Sequence, residues 1–223
     1  MNDLFANVGV VVAAGGSSRR FAGRGCKLLE PLNGMPLVCH CVKTFLRAVS
    51  PARMVVVVPA ARRAEFAAAF HAQGVPDEVK LVEGGAERQD SVWRGLGALP
   101  PEVGIVAIQD AARPFTTVEL LQACVESARR RGSGIAAVRV TDTIKVARED
   151  GEVVATPDRA TLWAAETPQV FRRELITRAY AEVIAAGRAV TDDAQAVELL
   201  GEPTYLVCHA GVNRKITYPA DLE

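Results

Sequence analysis

Between residues 13 and 27 the chain reads "AAGGSSRRFAGRGCK", two adjacent glycines after an apolar run and then Arg19, Arg20, Arg24 and Lys27 within nine positions. Glycine lets backbone N–H groups approach an anion that a Cβ would obstruct, and the cations balance its charge, so the stretch has the chemistry of a phosphate cradle. A surface loop rich in Arg and Gly has the same composition, and other segments must decide between the two. The stretch is not a Walker A loop, because Lys27 is followed by Leu28 rather than Ser or Thr. It also lacks the G-x-G-x-x-G dinucleotide fingerprint.

Further polar segments follow apolar runs. "QDAARPF" sets Asp110 at a strand tip with Arg113 just beyond; a carboxylate there can hold Mg²⁺, bind hydroxyls or cap the next helix. "GGAERQDSVWRGL" repeats the Gly-rich turn and helix start, with Ser91 in the first turn, where its hydroxyl can meet a ligand or where the segment is an ordinary capped helix. "ETPQ", "VTDDA" and "VNRKIT" come later. His40, His71 and His209 form no metal-binding spacing, and the neighbours in "CHC" at 39–41 diverge by about 100° on a helix, so no metal site is expected there. Five scattered cysteines without a C-x-x-C pair are those of a reducing compartment.

These segments need a frame. Continuous apolar, β-branched runs recur at 8–14, 53–59, 79–85, 104–110, 134–140 and 204–210, with helix-period segments between most of them. Strands covered on both faces and alternating with helices imply a doubly wound, Rossmann-like α/β fold with a mainly parallel sheet. "PLVCHCVKTFLRAV" opens with Pro36 near its first turn, and "TTVELLQACVESARRRG" has Thr116 or Thr117 as N-cap and Gly132 as its stop. In such sheets ligands bind beyond the carboxyl ends of the strands, where the polar segments fall. The alternation breaks at 140–163, where Asp150-Gly151 between "TIKVA" and "EVVAT" predicts a β-hairpin arm at about 141–158. An isolated hairpin is marginal in water, so the arm is expected to pack on a second copy of the chain.

Two hundred and twenty-three residues suit one domain, 1–223. Twenty-six basic residues balance 26 acidic ones, which argues against a nucleic-acid partner. No apolar run approaches a membrane span, and the N-terminus lacks the pattern of a secretory signal, so a cytoplasmic location is expected.

Taken in order, "AAGGSSRRF…K", "GGAERQDSV", "DAARP", "DTIK", "DR…LW…TPQ", "TDDA" and "NRKIT" resemble the 2-C-methyl-D-erythritol 4-phosphate cytidylyltransferases of the non-mevalonate isoprenoid pathway over essentially the whole chain. Ser18 stands where the family has its second glycine and Phe21 where it has Met, and the chain stops at "PADLE" where the family continues into a helix. The resemblance implies transfer of CMP from CTP to methylerythritol phosphate, with pyrophosphate released and Mg²⁺ bridging the CTP phosphates. It assigns Arg20 and Lys27 to the α-phosphate, with Asp110 and Lys215 also in the catalytic set. Ala14, Gly15, Gly16, Gly85, Ala86 and Ser91 would line the cytidine pocket. Asp110, Arg113, Thr191 and Lys215 would hold the acceptor, with Thr167 nearby and Thr143 and Arg159 supplied by the arm of the other subunit of a homodimer. Ribitol-5-phosphate cytidylyltransferase, which shares most of these motifs, is the alternative.

Overall fold

Strand β1 (Val8–Ala13) is a run of valines whose side chains are buried on both faces of a sheet. In the computed structural model, which describes residues 3–15 and 25–222, that sheet has seven strands. A small ladder of β2 (Pro31–Leu32) and β3 (Met35–Pro36) leads into α1 (Leu37–Leu46). There follow β4 (Met54–Val58), α2 (Arg63–Ala72), β5 (Lys80–Glu83), α3 (Arg88–Ala98), β6 (Ile105–Asp110) and α4 (Val118–Arg131). Next come β7 (Ser133–Arg139), the hairpin strands β8 (Val146–Ala147) and β9 (Val153–Ala155), then β10 (Trp163–Arg172), α5 (Arg173–Ala185), α6 (Asp193–Glu198) and β11 (Leu206–Cys208).

The sheet order is β11-β7-β10-β6-β1-β4-β5, parallel throughout except for β10, which runs antiparallel to both its neighbours. Alternate strand residues face two separate cores. Val10, Val12, Val56 and Ala107 pack with Phe45 of α1, Phe66 of α2 and Leu121 of α4. Val11, Val57 and Ile108 pack with Leu96 of α3, Tyr180 of α5 and Val197 of α6. The expected doubly wound sheet is therefore present, with helices on both faces.

One expectation needs correction. The segment around "ETPQ" is not a loop at the sheet edge but part of β10, a strand of ten residues inside the sheet whose ladder with β7 is broken between Ala165 and Gln169. Pro36 stands next to the first turn of α1, as expected, immediately before Leu37. The other helix signals hold: Thr117 Oγ1 accepts from Leu120 N at the start of α4, and Gly132 closes it with φ +94°.

The chain winds from β1 outward through β4 and β5, then returns to place β6 on the other side of β1. Ligand sites of open α/β sheets form at such a reversal, beyond the carboxyl ends of the strands. Here Ala13 and Asp110, the last residues of β1 and β6, stand directly opposite each other.

The hairpin forms as predicted but is shorter, its two strands pairing only with each other. Arg148 N donates to Glu152 O across a turn containing Gly151 at φ +90°. Ile144, Val146, Val153 and Val154 are all exposed on it.

Candidate active site

A cavity of about 130 Å³ opens at the β1–β6 reversal, lined among others by Gly15, Lys27, Arg88, Ser91, Asp110 and Lys215. Its side chains come from segments far apart in sequence. Lys215 Nζ donates to Asp110 Oδ2 at 2.7 Å, and Arg88 Nε donates to Asp110 Oδ1 at 3.2 Å. The guanidinium of Arg88 then forks onto Asp193, with Nη1 at 3.0 Å and Nη2 at 2.7 Å. Asp193 is fully buried and also accepts from Tyr180 OH at 2.5 Å.

The electrostatics follow from this wiring. Burial pushes the Asp110 carboxyl up, but Arg88 and Lys215 outweigh it and hold the group at about 2, ionised at any physiological pH. Burial works against the Arg88 charge, and Asp193 and Asp110 more than offset it, keeping the guanidinium charged. Burial, followed by the Asp193 charge, holds the Tyr180 hydroxyl protonated as a donor. Among the described residues three cations and one carboxylate line the cavity, so it favours anions.

The C-terminal "NRKIT" segment closes the cavity. Ile216 N donates to Ala112 O at 2.8 Å, and Lys27 Nζ donates to Ile216 O at 2.8 Å. One extended strap thus places Lys215 on Asp110 and Lys27 beside it. "TPQ" and "TDDA" are knitted in the same way: Gln169 Nε2 donates to Asp192 Oδ2, and Gln169 Oε1 accepts from Ala194 N, each at 2.9 Å. Asp192 Oδ1 also caps α6 by accepting from Gln195 N, and this sets Asp193 facing Arg88.

On the nucleotide side, Ser91 is buried and lines the cavity, but its hydroxyl is used inside the loop. It accepts from Gly85 N at 3.2 Å and donates to Glu87 O at 3.1 Å, so its part is to shape the turn rather than to offer a vacant donor. A Cβ on Gly15 would fall 2.8 Å from that hydroxyl, and one on Gly85 would fall 2.2 Å from Asp90 Cβ, so both positions require glycine for close approach. Asp90 is held there by the capping box it forms with Glu87. Ala14 is buried, with its N–H on Val57 O, and Gly85 and Ala86 lie in the turn just outside the lining.

Thr167 supports the site from beneath, its Oγ1 accepting from Asp110 N at 3.0 Å. Arg113 is buried and already engaged, donating to Asn213 O at 2.6 Å and paired with Glu166 at 3.3 Å. Thr191 is exposed and bonded to Gln195, and it does not line the cavity. Thr143 and Arg159 are exposed on the arm and do not line it either, with Arg159 Nη1 donating to Thr141 O. Gly16, Ser18 and Arg20 lie outside the described residues. Cys39 and Cys41 are buried, their thiols pushed by burial up to about 11 and about 12, while His40 is bonded to Leu32 O.

Sequence reasoning missed Arg88 and its anchor Asp193. A signal existed: arginine as the first residue of a helix opposes the helix dipole and calls for a carboxylate nearby.

The family model described as 2-C-methyl-D-erythritol 4-phosphate cytidylyltransferase (IspD) matches residues 8–223. A relative of that name from Symbiobacterium thermophilum is 41% identical over 214 residues, spanning 96% of this chain and 89% of the relative. One from Geobacillus kaustophilus is 42% identical over 214 residues, spanning 96% of this chain and 92% of its own length. The crystal structure of the enzyme of that name from Thermus thermophilus superposes with a TM-score of 0.78 at 29% identity, covering 97% of this chain and 95% of that one. The motifs that meet at the β1–β6 reversal are thus carried on a chain similar along its whole length to these enzymes, and it belongs to the 2-C-methyl-D-erythritol 4-phosphate cytidylyltransferase family.

Proposed function

We infer that the chain transfers a cytidylyl group from CTP to 2-C-methyl-D-erythritol 4-phosphate, releasing pyrophosphate. The observation that carries this reading at the level of residues is the meeting of Lys27, Arg88 and Lys215 around Asp110 in one cavity at the strand reversal. An oxygen of the acceptor's phosphate attacks the α-phosphorus of CTP. The bond from that phosphorus to the bridging oxygen breaks, and the electron pair leaves with pyrophosphate. The attacking oxygen is already anionic near neutral pH, so no strong general base is needed. What the reaction does need is positive charge fixed in advance where two anions meet and where charge gathers on the α-phosphate.

In this reading Lys27 and Arg20 face the α-phosphate, and Lys215, held by Asp110, meets the acceptor. Ala14, Gly15, Gly85 and Ala86 bring backbone close to the cytidine, with Ser91 bracing the turn; Gly16, outside the described residues, is assigned with them by the family motif. Arg113, three residues beyond Asp110, is assigned to the acceptor with Thr191, although neither lines the cavity as it stands, and Thr167 braces Asp110 from beneath.

A divalent cation, in this reading Mg²⁺, would be bound together with the nucleotide. Among the described residues no group of three His, Cys, Asp or Glu could hold a metal ion. Among the described residues Asp110 is the one carboxylate lining the cavity, and it is bonded by Lys215 and Arg88, so it would offer such an ion little and phosphate oxygens and water would be its main ligands. Such an ion would offset charge on the triphosphate.

The arm supports a homodimer. Its apolar side chains Val146, Val153 and Val154 are exposed, and a two-stranded hairpin is marginal without something to pack on. Covering it with the same arm or body of a second copy would also carry Thr143 and Arg159 to the neighbour's cavity. No described helix is long and apolar enough to cross a membrane.

The reading is tested by incubating the protein with CTP, Mg²⁺ and methylerythritol phosphate and following pyrophosphate. Release that depends on the acceptor supports it, and release without acceptor refutes it.

A further inference from the structure

Next to Thr167 in β10 stands Glu166, at the break in the ladder with β7. It is not part of the cavity lining, yet three donors converge on its carboxylate. Asn213 Nδ2 donates to Oε2 at 2.7 Å, His209 Nε2 donates to the same oxygen at 3.0 Å, and Arg113 Nη1 pairs with Oε1 at 3.3 Å. The Glu166 side chain is 13% exposed, so this is a largely dry cluster in which an unpaired charge would be costly.

Arg113 is held at one end only. Nη1 is taken by Glu166 and by the Asn213 carbonyl, while Nε is buried without a hydrogen-bond partner. Buried donors are ordinarily satisfied, and an orphaned one in a side chain this buried marks a place where a ligand or water is expected. Because the guanidinium is planar and rigid, fixing Nη1 fixes the direction of the rest of the fork. The fixing group is in turn fixed, since His209 and Asn213 leave Glu166 little freedom to turn.

We propose that Glu166 is a positioning residue for Arg113: its carboxylate, braced by His209 and Asn213, aims the guanidinium at the acceptor phosphate. The proposal rests on the reading that Arg113 meets the acceptor. Glu166 itself touches no substrate. Its effect is on acceptor binding, which is the same in ground and transition states, and so it falls on KM for the acceptor rather than on kcat.

The test is steady-state kinetics on the full chain with CTP, Mg²⁺ and methylerythritol phosphate, with thermal midpoints measured alongside. Glu166→Gln is expected to raise KM for the acceptor about 10-fold while kcat and KM for CTP stay within about 2-fold. Glu166→Asp restores the charge and recovers part of that loss, and it serves if the glutamine variant folds poorly. Arg113→Ala raises the same KM, and the double variant Arg113→Ala/Glu166→Gln is no worse than Arg113→Ala alone, because one residue acts through the other. A lower thermal midpoint in Glu166→Gln with an unchanged acceptor KM overturns the proposal, and so does a double variant whose losses multiply. An unchanged acceptor KM in Arg113→Ala overturns both the proposal and the role of Arg113. Failure of the reaction itself is distinguished by the wild-type protein, which would then release no acceptor-dependent pyrophosphate.

Discussion

Replacing Asp193 with Asn tests whether the cavity is held in shape from behind. The native carboxylate is fully buried and accepts two hydrogen bonds from Arg88 and one from Tyr180. An amide keeps one acceptor oxygen and presents N–H groups to a cation that needs none. Breaking a buried ion pair from one side costs about 3 to 5 kcal/mol; the Arg88 side chain is 31% exposed, so water recovers part of its charge and about 3 kcal/mol is the better figure. For a chain of this size that lowers the thermal midpoint by about 6 to 12 °C. Arg88 also loses the fork that fixes it, and turnover should fall by roughly 100-fold, as for other misplaced groups. Tyr180→Phe is the matched control: it removes one of three donors and leaves Arg88 paired, for about 1 kcal/mol and a small change in rate. Calorimetry and pyrophosphate release, measured well below both midpoints, read the two effects separately. A midpoint for Asp193→Asn no lower than that of Tyr180→Phe would refute the energetic argument. A lowered midpoint with wild-type turnover would refute the claim that Asp193 positions Arg88.

Three further outcomes are expected. Lys27→Met should leave the secondary structure unchanged by circular dichroism and cut pyrophosphate release by about 100-fold or more, because the proposed reading sets this cation at the reacting phosphate; near-normal release would take Lys27 out of the catalytic set. The Asp110 carboxyl lies at about 2 in the folded protein against an ordinary 3.8, so its ionised form contributes stability that is fully present above pH 3.8 and is lost as pH falls toward 2. The urea midpoint of Asp110→Asn should therefore trail the wild type by a constant amount at neutral pH, equivalent to about 2 kcal/mol, with the gap closing below about pH 4; a gap that persists unchanged at pH 3 would contradict the assignment. Val153→Asp places a charge on the exposed apolar arm and should shift the mass in sedimentation from dimer to monomer with loss of activity, whereas a monomeric wild type of full activity would remove the arm from the site.

Six of the seven strands of the main sheet are legible in the sequence, each overlapping one of the six predicted apolar runs; for the interior strands β1, β4, β6 and β7 this is because burial on both faces demands apolar, β-branched residues, whereas the edge strands β5 and β11 are shorter and partly exposed. β10 is not legible, because the stretch "LWAAETPQVF" mixes Pro168 with the polar Glu166, Thr167 and Gln169, and proline argues against an interior strand. Those polar side chains are buried for local reasons that only the tertiary structure supplies: Thr167 accepts from Asp110, and Gln169 holds the start of α6. Asp110, Lys27 and Lys215 can be named from motifs, and the structure brings them to one cavity. Arg88 and Asp193 pair across 105 residues of sequence, a distance at which spacing carries no signal. Arg113 is singled out by the "DAARP" motif, but its burial against Glu166 and Asn213 is not legible, since neither partner lies near it in sequence.

The identity of the acceptor and the fate of the α-phosphate decide the proposed reaction. Phosphorus NMR of the reaction with CTP and Mg²⁺ follows both, with methylerythritol 4-phosphate in one sample and ribitol 5-phosphate in another. The methylerythritol sample alone is expected to lose its phosphomonoester signal, gaining a diphosphate diester and one pyrophosphate per acceptor consumed. Equal conversion of ribitol phosphate, or pyrophosphate without a new diester, would contradict the proposed reaction.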